Sequence, residues 1–252
     1  MRAVVTPADM AEADRNAIAR GTPEDVLVAR AASGVARVAR RMLGGTYGRR
    51  VVVVAGKGNN GADGRVAADL LRARGVGVDV FALTDDLDEA GLGRALARAD
   101  LFVDAMFGTG FRGALTGAAA QVVEAAARAG VATLSVDIPS GVDGATGAVT
   151  GAAVHATETV TFAALKLGLL FEPGRGRAGR VTVEDIGIDV RTERCVVPEV
   201  GDLRLPRREP TAHKWSYGCM VFGGSNGMTG APMLAARAAA RAGAAMVVCA
   251  LP

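Results

Sequence analysis

Cysteine is scarce in this chain of 252 residues: there are three, Cys195, Cys219 and Cys249, and none forms a C-x-x-C pair. That pattern argues against a disulfide framework and against a structural zinc site. Aromatic residues make up 4% of the sequence, so Ala, Val and Leu must build the core, which suits packed α/β layers better than a β-sandwich. No apolar run approaches the ~18 residues that a membrane span needs, and the start, Met1-Arg-Ala-Val-Val-Thr, lacks the apolar region of a signal peptide. A cytoplasmic protein with no membrane partner is expected. Arginines are scattered among alanines instead of running together with aromatics, and the net charge is +3, so no nucleic-acid partner is expected. Lysine is rarer still. Lys57, Lys166 and Lys214 are the only lysines among 29 basic residues, and each falls in motif-like sequence where a compact, titratable ammonium differs from a guanidinium.

What the chain does have is concentrated in Val51-Val-Val-Val-Ala-Gly-Lys-Gly-Asn-Asn-Gly-Ala-Asp-Gly64. Four consecutive valines suit a strand of a parallel sheet that is buried on both faces. Gly56, Gly58 and Gly61 allow a tight turn and close approach of backbone N–H groups to an anion. From Ala62 to Arg74 the period becomes helical. The spacing matches G-x-G-x-x-G between strand and helix, but the acid expected at the end of the next strand is not clean, since Asp79 lies mid-strand and Asp85 beyond it. Lys57, Asn59, Asn60 and Asp63 supply more side-chain chemistry than phosphate cradling requires. A P-loop is excluded because no Gly-Lys-Ser/Thr follows.

Thr6-Pro7-Ala8-Asp9 and Thr22-Pro23-Glu24-Asp25 read as two helix starts, with Thr at the N-cap, Pro first and an acid third. They predict a helical preface that ends near Arg20 and near Leu43, packed across the sheet or against a partner subunit. Strands are expected at Val51–Ala55, Val76–Leu83, Leu101–Met106, Val131–Val136, Glu158–Ala163 and Val181–Asp185. Helices are expected at 62–74, 86–98 and 118–129. Alternating strands and helices predict an α/β fold with a mostly parallel sheet in a Rossmann-like three-layer α/β/α sandwich. The loops 56–64, 107–113 and 137–143 all follow strand ends, so they belong on one edge of the sheet. Pro198, Pro206 and Pro210, with Arg204, Arg207, Arg208 and Glu209, read as an extended linker. Tyr217–Phe222, Gly223-Gly-Ser-Asn-Gly227, Thr229–Arg241 and Ala245–Ala250 then begin a second strand–loop–helix–strand unit, too short to bury a core unaided.

Asp104, at the end of an apolar strand, is costly there unless paired or ligated, and Asp137 and Ser140 repeat the situation one strand later. Asn60, Asp104 and Ser140 would bring three oxygen donors to one edge, apt for a hard cation and poor for zinc. Gly108–Gly113 with Arg112 offers backbone amides and one guanidinium to a phosphate. Ser140 as a hydrolase nucleophile is disfavoured, because Ile138-Pro-Ser-Gly-Val142 lacks the first glycine of G-x-S-x-G.

Gly58-Asn-Asn-Gly-Ala-Asp-Gly64, Val103-Asp-Ala-Met-Phe-Gly108 and Ser135-Val-Asp-Ile-Pro-Ser-Gly141, in this order and spacing, closely resemble the NAD(P)H-hydrate epimerases. The departure is Ala62, where that family usually has glycine. His213-Lys214 and Gly223-Gly-Ser-Asn-Gly-Met-Thr-Gly-Ala-Pro232 resemble the start of the ADP-dependent NAD(P)H-hydrate dehydratase domain, with which the epimerase is commonly fused in bacteria. The resemblance implies an epimerase domain over 1–195, a linker over 196–212 and an incomplete ribokinase-like dehydratase start over 213–252, with dehydration itself not expected. It implies an isomerase that interconverts the R and S hydrates of NADH and NADPH at C6 of the nicotinamide. Substrate contacts would come from Asn59, Asn60, Gly61, Ala62 and Asp63, from Gly108, Thr109, Gly110, Phe111, Arg112, Gly113 and Ala114, and from Asp137. A potassium ion would be held by Asn60, Asp104 and Ser140, and Asp137 with Lys166 would carry the chemistry. Two other readings use the same loop: a dinucleotide-dependent oxidoreductase and a non-catalytic nucleotide-binding protein. The apolar face of the helical preface suits a homodimer.

Overall fold

The computed structural model describes residues 1–190, 195–204 and 208–251. Of the expected linker, Pro206 and Arg207 lie outside the described residues. Contacts divide the chain into two units, Met1–Glu199 and Val200–Pro252.

The first unit runs β1 (Arg2–Val5), α1 (Pro7–Ala19), α2 (Glu24–Leu43), β2 (Arg50–Ala55), α3 (Asn59–Arg72), β3 (Gly77–Ala82), α4 (Glu89–Leu96), β4 (Leu101–Ala105), α5 (Gly117–Ala129), β5 (Thr133–Val136), β6 (Glu158–Phe162), β7 (Leu165–Lys166), α6 (Gly174–Ala178), β8 (Arg180–Glu184) and β9 (Val196–Val197). Six strands form one sheet in the order β3-β2-β4-β5-β6-β8, every pair parallel. The valines of β2 are 0–1% exposed and alternate between two cores. Val51 and Val53 face a cluster with α2 and α3, while Val52 and Val54 face one with α4 and α5. Two buried faces on one strand are what four consecutive valines encode.

The first helix start is built as expected. Thr6 Oγ1 accepts from Asp9 N at 3.1 Å and Asp9 Oδ2 from Thr6 N at 3.0 Å, a reciprocal capping box. The second is not. The N-cap of α2 is Pro23, without a side-chain cap bond, because Thr22 N closes the end of α1 on Ala17 O at 3.1 Å. Helix α2 packs on α3 and places Ala31, Ala32, Val35 and Val38 in the core. The apolar face of α2 is thus occupied within this unit, while Ile18 of α1 is exposed.

The sequence pattern missed a small second sheet, β7-β1-β9, whose strands of two to four residues are too short to show a period. Pairing of Val5 with Lys166 fixes that lysine's backbone.

The second unit contains β10 (Gly218–Phe222), α7 (Gly230–Arg241) and β11 (Met246–Ala250). Its two strands pair in parallel, and the glycine loop between β10 and α7 turns at Gly224 (φ 90°) and Gly227 (φ 79°). Met220, Phe222, Met233 and Leu234 are exposed on it.

Candidate active site

Strands β3 and β4 flank β2, so the chain reverses its direction of winding after β3, and the loops after β2 and β4 diverge at a topological switch point. A cavity of about 770 Å³ opens there, within the size range of small-molecule sites. Two of the loop glycines serve the fold itself. A Cβ on Gly56 would lie 2.0 Å from Met106 O, and one on Gly61 would lie 1.9 Å from Gly56 O. Only Gly58 faces open space, so Gly56 and Gly61 are glycine because backbone packs where a Cβ would stand. Helix α3 begins three residues earlier than its period suggested, so Asn59 and Asn60 occupy its first turn. Ala62 is already helical, donating N–H to Gly58 O at 3.1 Å, so its methyl group meets no backbone strain. Neither α3 nor α5 has a side-chain cap, and both N-termini line the cavity, leaving backbone N–H groups for an anion.

The deep end of the cavity is organised by Asp137, which follows β5 with φ 66°. Asp is among the few side chains that tolerate this left-handed region, at some cost in strain. Its Oδ2 accepts from Thr109 N at 3.0 Å and its Oδ1 from Thr161 Oγ1 at 3.1 Å. Lys166 Nζ stands 2.8 Å from the same Oδ1 and also donates to Phe162 O at 2.8 Å. That ammonium is 1% exposed, and a buried ammonium requires such a partner.

Asp104 and Ser140 lie beneath the cavity, both fully buried. The Asp104 carboxylate accepts from Ser140 Oγ at 2.6 Å, Ser135 Oγ at 2.9 Å, Ser140 N at 2.9 Å and Met106 N at 3.3 Å. Burial pushes its carboxyl upward against the pull of these donors. Among the described residues no cationic side chain bonds it. Both polar atoms of the Asn60 amide, and Thr109 Oγ1, are buried without a hydrogen-bond partner among the described residues. A buried amide oxygen without a partner, and a buried carboxyl that no described cationic side chain pairs, are donors of the kind a cation held by one charge and neutral oxygens uses.

Of the expected substrate residues, Asn59, Asn60, Asp63, Gly108, Thr109, Gly110, Phe111 and Asp137 line the cavity. Gly61, Ala62, Arg112, Gly113 and Ala114 do not. Arg112 is instead drawn aside, 3.4 Å from Asp143 and bonded to Phe111 O. Phe111 packs on Phe107 with ring centroids 5.2 Å apart, giving the cavity an aromatic wall.

Sequence reasoning missed Asp14. It stands between Met10 and Ile18 at four-residue spacing on α1, and all three line the cavity. An acid within an apolar helical stripe was the available signal. Burial raises its carboxyl and Lys166 pulls it back down, with Asp137 raising it further. Asp63 is pushed up to about 8 by burial first, then by the charges of Asp137 and Asp14. Thr84 and Asp85, after β3, complete the wall on the other side.

The family described as YjeF-related protein N-terminus matches residues 24–91 and 83–168. A bifunctional NAD(P)H-hydrate repair enzyme of Moorella thermoacetica is 40% identical over 99% of this chain and 54% of its own length. One from Thermofilum pendens is 37% identical over 91% and 49%, and one from Escherichia coli 35% identical over 79% and 44%. The chain therefore spans about half the length of the curated relatives it matches. The crystal structure of yeast ynu0, YNL200c, superimposes with a TM-score of 0.63 at 22% identity, covering 77% of this chain and 97% of the yeast chain, which shows a shared fold.

Proposed function

The chain belongs to the YjeF-related protein N-terminus family, and from that premise we propose that it is a cytoplasmic NAD(P)H-hydrate epimerase acting on R and S hydrates of NADH and NADPH. The observation that carries the reading is the Asp137–Lys166 pair, 2.8 Å apart at the deep end of a dinucleotide-sized cavity. C6 of the hydrate bears both hydroxyl and ring nitrogen, so inversion needs one bond broken and remade on the other face. Proton transfer suffices, and no electrons change hands. Asp137 accepts or returns that proton, and Lys166 sets a positive charge beside it. The bare N-termini of α3 and α5 suit the pyrophosphate, and Phe107 and Phe111 offer an apolar wall to the ring.

The cation set fits potassium. Asn60, Asp104 and Ser140 would hold it, with the orphaned Asn60 amide oxygen as the supporting observation. When bound, the ion would supply positive charge against Asp104 and tie the first turn of α3 to the end of β4 and the loop after β5. The second unit reads as dehydratase-like, on the resemblance of His213-Lys214 and Gly223–Pro232.

The test is to add the protein, with and without potassium, to mixed R and S hydrates in the presence of a separate S-specific dehydratase. Rapid consumption of both epimers, faster with potassium, is expected. Consumption of R no faster than its spontaneous rate would sink the reading, and oxidation of intact NADH would point to hydride transfer instead.

A further inference from the structure

Building on the epimerase reading, we propose that Asp63 is a catalytic general acid working opposite Asp137, and that Asp14 is a positioning residue for it. The ground is how the buried acids are partnered. Asp137 accepts from Thr109, Thr161 and Lys166, and Asp104 from Ser135, Ser140 and Met106. Asp63 is 8% exposed and accepts no hydrogen bond from any described residue. It stands on the Asp63–Ala67–Leu71 face of α3, whose other members are 1% exposed. A carboxyl so deprived of donors is better accommodated with its proton than without it.

The surrounding charges act in the same direction. Asp14 faces it from α1 and Asp137 from the loop after β5, while Glu24 from α2 acts on Asp14. Of the cations, Lys166 from β7 is bonded to Asp137, Arg15 acts on Asp14 from its own helix, and Lys57 is exposed on the loop after β2. The buried ammonium thus serves Asp137 and Asp14 and leaves Asp63 without a cationic partner, and burial followed by the two neighbouring charges pushes Asp63 up to about 8. Asp63 and Asp137 line the same cavity from different elements of the fold, α3 and the loop after β5.

The step balances without a redox partner. Asp63 gives its proton to the C6 hydroxyl as the C–O bond breaks. The oxygen leaves as water with the bonding pair, and the ring-nitrogen lone pair closes a C=N⁺ bond. Water adds to the other face of C6, the C=N electrons return to nitrogen, and the released proton passes to Asp137. In the opposite direction the two carboxyls exchange roles, and solvent restores their protons between turnovers.

Carboxyl-¹³C NMR of aspartate-labelled protein reads the proton directly. One carboxyl should titrate near pH 8, vanish in Asp63→Asn and move to lower pH in Asp14→Asn. The absence of any aspartate titrating above about pH 6 would overturn the inference whether or not the enzyme epimerises. In turnover, Asp63→Asn should be slowed at least about 100-fold while still binding hydrate, with Asp63→Glu recovering part of the rate. The alkaline limb of the Asp14→Asn profile should move to lower pH, and an unmoved limb would remove Asp14 from the proposal. An active wild type matched by a fully active Asp63→Asn would overturn the acid role and leave the epimerase reading intact. An inactive wild type would overturn that reading, and with it the acid role.

Discussion

At the first residue of β6, Glu158 is buried, and its oxygens accept from Arg41, from Arg180 at 3.0 Å and from Thr182 at 2.7 Å. Burial alone would raise its carboxyl, but Thr182, Arg41 and Arg180 together hold it below the usual range. At the far end of the same strand, Lys166 donates to Thr161 and Phe162 and pairs with Asp137, but Asp14 and Asp63 also bear on that site. One end matches its carboxylate with two guanidiniums. The other gathers more carboxyls than its ammonium can satisfy. The matched end holds the sheet together, and the mismatched end stores proton affinity for chemistry.

The contrast can be broken in four ways, beginning with the largest effect. Asp137→Asn should lower epimerisation by about 10²–10⁴-fold. Asparagine also tolerates a positive φ, so hydrate binding and the circular dichroism spectrum should survive, and unchanged turnover would refute the assignment. Lys166→Met should cost about 3–5 kcal/mol in urea unfolding, because it strands a buried carboxylate. Adding Asp137→Asn to it should recover a good part of that loss. A single-variant cost below about 1 kcal/mol would mean that the pair behaves like a surface ion pair. Glu158→Gln should cost about 1–3 kcal/mol with turnover per folded molecule unaltered, and lost turnover would erase the distinction between the two ends. Its contribution in the wild type is present above the unfolded carboxyl value and fades as pH falls through the lower folded value.

The fourth effect has the opposite sign. Native Asp63 keeps its proton up to about pH 8, whereas the unfolded chain loses it near 3.8. Wild-type stability should therefore decline as pH rises through that window and level off above it. Asp63→Asn cannot ionise, so it should be more stable than wild type at pH 8.5 and nearly equal at pH 4. Thermal unfolding at the two pH values measures this, and a less stable variant at pH 8.5 would contradict it.

Much of this was legible in the chain. Four valines followed by closely spaced glycines give strand and turn because each residue's own stereochemistry forces the outcome, and the three loops after β2, β4 and β5 follow from the alternation. What escaped depended on distance in sequence. Gly56 and Gly61 look like anion-loop glycines, but their role is set by Met106 O and Gly56 O, which spacing does not reveal. Thr22 carries an N-cap signal, yet α1 claims its backbone first. Arg112 reads as a phosphate ligand until Asp143, 31 positions later, draws it away. Asp14 was visible as an acid in an apolar stripe, but nothing local says that Asp63 and Asp137 bear on it. The short strands β1, β7 and β9 carry no period at all.

Lysine scarcity has a practical consequence. Lys166 is sealed at 1% exposure, whereas Lys57 and Lys214 are exposed and fall one in each unit. An amine-directed crosslinker consequently meets just two reactive side chains. A lysine–lysine link recovered by mass spectrometry needs no assignment among alternatives, and spacers of increasing length turn it into a ruler between the two units.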